Sequence, residues 1–96
     1  MKYAILAAKP FYRSAKKLPT QVIDCVEEEL NQLAQNPHLG KPLTGEFKGV
    51  HSLHLKYKRT QYRIAYTIND NKQEILLHFV HSRENFYQYL RRLKIS

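Results

Sequence analysis

The sequence predicts an α+β domain: two N-terminal helices packed on a mostly antiparallel four-stranded sheet, with a short C-terminal helix. Three observations carry this expectation. Apolar residues recur at helical spacing from Phe11 to Leu33, alternate with polar ones from Leu53 onward, and return to helical spacing near the C-terminus. With 96 residues the chain has room for one modest core, so residues 1–96 read as a single domain.

Taken in order, Tyr3 to Ala8 are small and apolar and read as a strand. Pro10 suits a first helical turn, where its missing N–H costs nothing, and Phe11, Ala15 and Leu18 then form one stripe. Lys9, Arg13, Lys16 and Lys17 take the other side of this short basic helix. Pro19 interrupts it. Thr20 is a candidate N-cap for a second helix, whose stripe Val22, Ile23, Val26, Leu30 and Leu33 runs to Asn36-Pro37.

The loop NPHLGKPLTGEFKG separates helical from strand periodicity. Leu53, Leu55 and Tyr57 then alternate with His54, Lys56 and Lys58, and Tyr62, Ile64, Tyr66 and Ile68 alternate with Arg63, Ala65 and Thr67. One face is apolar and the other cationic. A four-residue turn, Lys58 to Gln61, aligns the apolar rows and sets Lys56 opposite Arg63 and His54 opposite Ala65. After the turn NDNK, the nearly continuous apolar run QEILLHFVH suits an inner strand. Pairing Ile68 with Gln73 brings Ile64 to Leu77, Tyr62 to Phe79 and His78 to Arg63. Ser82 then N-caps a last helix with the stripe Phe86, Leu90 and Leu93, which leaves Tyr87 beside the packing row.

Charge narrows the function. Sixteen Lys plus Arg against eight Asp plus Glu give a formal net charge of +8, and Asp24, Glu27, Glu28 and Glu29 cluster in the second helix. The remaining chain is therefore strongly basic, as expected for a partner rich in phosphate. Opposed cations on a hairpin repel by some tenths to roughly 1 kcal/mol, a cost that an anion between them reverses. The single cysteine, Cys25, permits no internal disulfide and fits a reducing compartment, and no stretch is apolar enough for a membrane helix. A cytoplasmic location is expected.

Five histidines raise metal binding, but His51 and His54, like His78 and His81, are three apart, and odd spacing on a strand sends side chains to opposite faces. Neither a metal nor another cofactor is expected. There is no Gly-rich phosphate loop and no carboxylate pair on the basic face, so kinase, NTPase and glycosidase chemistry fall away. His54, His78, Lys56, Arg63, Arg83 and Tyr87 remain as groups able to move protons or stabilise phosphate. Metal-independent cleavage of RNA by 2'-hydroxyl attack needs that set: a base, an acid and cations for the pentacoordinate phosphorus. Arg13, Lys16, Lys58, Arg59 and His78 are candidate RNA contacts.

Across nearly the whole chain, NPHLGKPLTGEFKGVHSLHL, YRIAY and HSRENFYQYL, in this order and spacing, resemble the RelE/ParE superfamily of toxins from bacterial type II toxin–antitoxin pairs. The resemblance implies a ribosome-dependent mRNA endonuclease. Arg63 matches the arginine of the family's YR motif, Arg83 the later arginine, and Tyr87 the tyrosine of the last helix. His54 and Lys56 match the basic strand positions. A histidine at 54 where RelE carries lysine, with the shorter Arg83 to Tyr87 spacing, leaves the general base open between His54, His81 and Tyr87. The expected partners are a cognate antitoxin, mRNA and the 70S ribosome, with operator DNA bound by the toxin–antitoxin complex through the antitoxin. The same fold carries ParE-like members that inhibit DNA gyrase by protein binding, the alternative reading; an inactive or purely DNA-regulatory relative is a third.

Overall fold

The computed structural model describes residues 2–93. Its chain order is β1 (Ala4–Ala7), α1 (Lys9–Ala15), α2 (Thr20–Gln35), β2 (Lys41–Pro42), β3 (His51–Tyr57), β4 (Thr60–Asn69), β5 (Glu74–Ser82) and α3 (Phe86–Leu93). Short 3-10 turns, Pro37–Leu39 and Gly45–Phe47, punctuate the connection from α2 to β3. The strands form one sheet in the order β1-β5-β4-β3-β2, with β1 parallel to β5 and the other pairs antiparallel. The expected α+β layout is borne out, and the inner position of β5 with it. Two-residue β2 adds a fifth strand, because Lys41 and Pro42 pair with Ser52 and His51 at the sheet edge.

The sheet buries both faces. On the first, Phe11 of α1 and Val22, Val26 and Leu33 of α2 pack on Leu53, Leu55, Ile64, Tyr66, Ile75, Leu77 and Val80. On the second, Phe86 and Leu90 of α3 cover Val50, Ala65 and Phe79. Leu33, Ile64, Phe79 and Phe86 are all fully enclosed, and full burial of such a side chain contributes about 1.5–3 kcal/mol. The two helical layers thus leave only part of the second face open, toward β3.

Both hairpin registers differ from expectation. The β3–β4 turn has two residues, Lys58 and Arg59, with Lys58 at φ 55°, where a non-glycine residue is uncommon. The ladder slips by two positions: His54, not Lys56, faces Arg63, while Lys56 faces Gln61 and Ser52 faces Ala65. Alternation cannot distinguish these registers, since a slip of two keeps every side chain on its face. Between β4 and β5, Ile68 pairs with Ile75 and Tyr66 with Leu77, and then a bulge shifts the ladder, so that Ala65 meets Phe79, Ile64 meets Val80 and Arg63 meets His81. His78 is the extra residue and does not face Arg63. The bulge lets Leu77 and Val80 enter the first core while Phe79 enters the second.

Past Ala7 the outer edge of β5 loses its strand neighbour, and Ser14 of α1 replaces it. The buried Ser14 hydroxyl accepts the Val80 N–H at 3.0 Å and donates to the Pro10 carbonyl at 2.9 Å. Ser82 ends β5 and α3 begins at Phe86, so Ser82 is not an N-cap. Thr20 is the first residue of α2, one position past the Pro19 cap.

Candidate active site

The open part of the second face is built from two cross-strand rows. His54, Arg63 and His81 stand side by side on β3, β4 and β5. One step toward the β3–β4 turn lie Lys56 and Gln61, and the Arg83 N–H donates to the Gln61 carbonyl at 2.9 Å, carrying the ladder past the end of β5. The rows are about 7 Å apart, two residues along a strand.

Over the first row is a cavity of about 290 Å³ lined by Lys41, Thr44, Phe47, His54, Arg63 and Tyr87, among others. Three segments converge here. The sheet supplies His54 and Arg63, the loop from β2 to β3 supplies Thr44 and Phe47, and α3 supplies Tyr87. The Arg63 guanidinium lies 5.8 Å from the Phe86 ring centre and 5.9 Å from that of Tyr87, positions that hold it by cation–π attraction. Phe47 and Tyr87 are in ring contact at 6.0 Å, closing the loop against α3. An exposed ion pair, Arg91 to Glu46 at 3.6 Å, adds little to this closure.

No carboxylate lines this cavity among the described residues. Desolvation in the cavity wall, followed by the positive charges of Arg63, Lys41 and Arg83, holds the His54 imidazole below its ordinary pKa. His54 is therefore a neutral imidazole at pH 7, able to accept a proton, and it stands opposite a fixed guanidinium. A phosphodiester placed here meets two cations, Arg63 of β4 and Lys41 of β2, with the His54 imidazole on one side.

Of the residues singled out from sequence, the structure brings His54, Arg63 and Tyr87 together. Arg83 lies next door, lining a second cavity of about 350 Å³ with Arg59, Thr60, Gln61, Ser82 and Glu84. Lys56 is exposed on the adjoining row, and Lys58 sits at the turn with its ammonium 5.6 Å from the Tyr57 ring centre. His81 pairs with Arg63 along the backbone, but its ring packs on Tyr89 at 4.4 Å and Phe79 at 6.0 Å. Burial, then Lys17 and Arg92, lower its pKa. His78 hydrogen-bonds Thr67 at 2.9 Å, away from the cavity, and burial lowers its pKa. Arg13 on α1 and Lys16 at its C-cap are exposed, and the core residues of that helix pack on the first face of the sheet. Lys41, Thr44 and Phe47 were not foreseen. The pairing of Lys41 with Ser52, two residues from His54, would have revealed them, but a two-residue strand leaves no periodicity.

A family model described as the ParE-like toxin of type II bacterial toxin–antitoxin systems matches residues 5–91. The chain belongs to the RelE/ParE superfamily of type II toxins. Toxin RelE of Mycobacterium tuberculosis is 33% identical over 78 residues, which cover 79% of this toxin and 76% of that one. The crystal structure of the RelBE2 toxin–antitoxin complex from the same species contains a chain 28% identical, superposing with a TM-score of 0.74 over 86% of this toxin and 100% of that chain. A mutant of Escherichia coli RelE in the free state, 19% identical, shares the fold with a TM-score of 0.75 over 97% of this toxin and 99% of that chain. The resemblance read from YRIAY and HSRENFYQYL is borne out at the level of family, and this is a RelE-type toxin. No helix of the described residues is long and apolar enough to cross a membrane.

Proposed function

We propose that this toxin is an endoribonuclease that cuts mRNA on the ribosome, using its own side chains for acid, base and charge. One observation carries the reading: the His54 imidazole stands directly opposite a held guanidinium, Arg63, at a cavity whose described lining holds no carboxylate. His54 takes the proton of the 2'-hydroxyl as that oxygen attacks the adjacent phosphorus. Arg63 and Lys41 neutralise the charge that builds on the nonbridging oxygens. The P–O5' bond breaks, and the Tyr87 hydroxyl protonates the departing 5'-oxygen. The products are a 2',3'-cyclic phosphate and a 5'-hydroxyl, and proton return from the imidazolium to the phenolate through water restores the site. Arg83 and Arg59 hold the neighbouring phosphate in the second cavity, one sheet row away.

His54 is favoured as base over His81 because the His81 ring is engaged with Tyr89 and Phe79 rather than with the cavity. The cationic face also suits a cognate antitoxin that covers it with acidic or apolar side chains, the complex binding operator DNA through the antitoxin. Ribosomal mRNA as substrate makes the cytoplasm the site of action. The test is a translation extract given purified toxin, with RNA ends mapped along the message. Cuts within translated codons support the reading. Intact message, with DNA breaks appearing on induction in cells, would favour gyrase inhibition instead.

A further inference from the structure

We propose that Tyr66, buried at the centre of β4, is a positioning residue whose hydroxyl holds Lys41 at the active-site cavity. Tyr66 is 0% exposed and its ring belongs to the first core, on the face of the sheet opposite the cavity. Its hydroxyl nevertheless reaches the connection after α2, accepting the Gly40 N–H at 2.9 Å and donating to the Pro37 carbonyl at 2.8 Å. These bonds satisfy two backbone groups of a segment without regular partners, which would otherwise be left unpaired beside the core. Burial raises the Tyr66 pKa, while the Gly40 N–H opposes that rise, so the hydroxyl stays protonated and able to donate.

The residue after Gly40 is Lys41. From the clamp the chain rounds the sheet edge, Lys41 pairs with Ser52, and the lysine lines the cavity with His54 and Arg63. Gly40 itself fits too closely to move. A Cβ there would lie 2.5 Å from the Tyr66 hydroxyl oxygen, 2.8 Å from its ring and 2.9 Å from the Ser52 carbonyl oxygen. His51 stacks on the Tyr66 ring at 5.2 Å and fixes its orientation. A phenylalanine would fill this core equally well. What the hydroxyl adds is a fixed point one residue before a catalytic cation that no helix or long strand holds.

The catalytic consequence rests on the ribonuclease reading; the placement of Lys41 does not. His54 reports that placement, because the Lys41 charge is one of those that depress it. The experiment titrates the His54 imidazole by NMR in purified wild-type toxin, Tyr66→Phe, Lys41→Met and the double variant. Each single substitution is expected to raise the His54 midpoint, and the double variant to match Lys41→Met. Gly40→Ala, which displaces the same segment with the hydroxyl intact, is expected to raise it as well and stands in if Tyr66→Phe does not fold. A midpoint unchanged by Tyr66→Phe, or shifts that add in the double variant, overturn the proposal. So does a midpoint unmoved by Lys41→Met. In the translation extract, each single variant should cut about tenfold to a hundredfold more slowly, with the double variant no slower than Lys41→Met. A wild-type toxin that cuts no message removes the ribonuclease reading alone, and the titration still decides the clamp.

Discussion

Replacing Arg63 with alanine separates the chemical role of this side chain from its structural one. Structurally, Arg63 makes two cation–π contacts, to Phe86 and Tyr87, at 5.8 and 5.9 Å. Each is worth about 0.5–1 kcal/mol, and relief of repulsion from Lys41 and Arg83 returns a few tenths. The net loss is about 1 kcal/mol, or about 4–8 °C in melting temperature for a domain of this size. In the proposed mechanism Arg63 is the guanidinium opposite the base, and removing one transition-state donor costs about 10²–10³ in rate. The variant should therefore fold and melt slightly lower while cutting message two to three orders of magnitude more slowly, about 10²–10³. Arg63→Lys keeps a charge but loses the planar fork, and should fall between the two. The assays are thermal unfolding and end mapping in a translation extract. Cleavage at the wild-type rate by folded Arg63→Ala toxin would refute the assignment, and a loss of activity matched by unfolding would show that the effect was structural.

Other expectations follow from the same geometry. Because burial, Arg63, Lys41 and Arg83 hold the His54 pKa down, cleavage should rise with pH through a midpoint below the ordinary value of 6.5 and then stay level; His54→Gln should abolish that rise. Stability should also depend on pH. His51, His54, His78 and His81 all have lowered pKa values, with burial the first cause of each. The unfolded chain therefore takes up protons first, so stability is full above the ordinary value of 6.5 and falls as pH drops from there through the lowered values; urea midpoints at about pH 7.5 and about pH 5 would check it. Phe79→Ala empties the centre of the second core, against Phe86 at 5.3 Å and Tyr89 at 4.9 Å, and should cost about 3–5 kcal/mol in urea unfolding.

Where apolar spacing specified a buried face, the sequence was informative. Val22, Val26 and Leu33 marked α2, and Leu53, Leu55 and Ile64 marked the sheet face beneath it. The cationic character of the other face was equally visible, as were His54, Arg63 and Tyr87, which the structure gathers at one cavity. Partners across the ladder were not. Lys58-Arg59 carries no Asn-Gly or Gly pair to announce a two-residue turn, so the longer turn was preferred and Lys56 took the place of His54 opposite Arg63. The β5 bulge was hidden for a different reason. In LLHFVH nearly every residue can be buried on one face or the other, so an inserted residue leaves no break in the pattern. Lys41 was missed, and Tyr66 was read only as a member of the apolar row, because the Tyr66 hydroxyl bonds to Gly40 and Pro37 depend on how a proline- and glycine-rich connection crosses the sheet edge.

The most direct measurement is the chemistry of the ends left on cut message. Attack by the 2'-hydroxyl, with His54 as base and Tyr87 as acid, requires upstream fragments ending in 2',3'-cyclic phosphate and downstream fragments beginning with a 5'-hydroxyl. Ends bearing a 3'-hydroxyl and a 5'-phosphate would mean that water, not the ribose, attacked the phosphorus, and would contradict the mechanism built on this cavity.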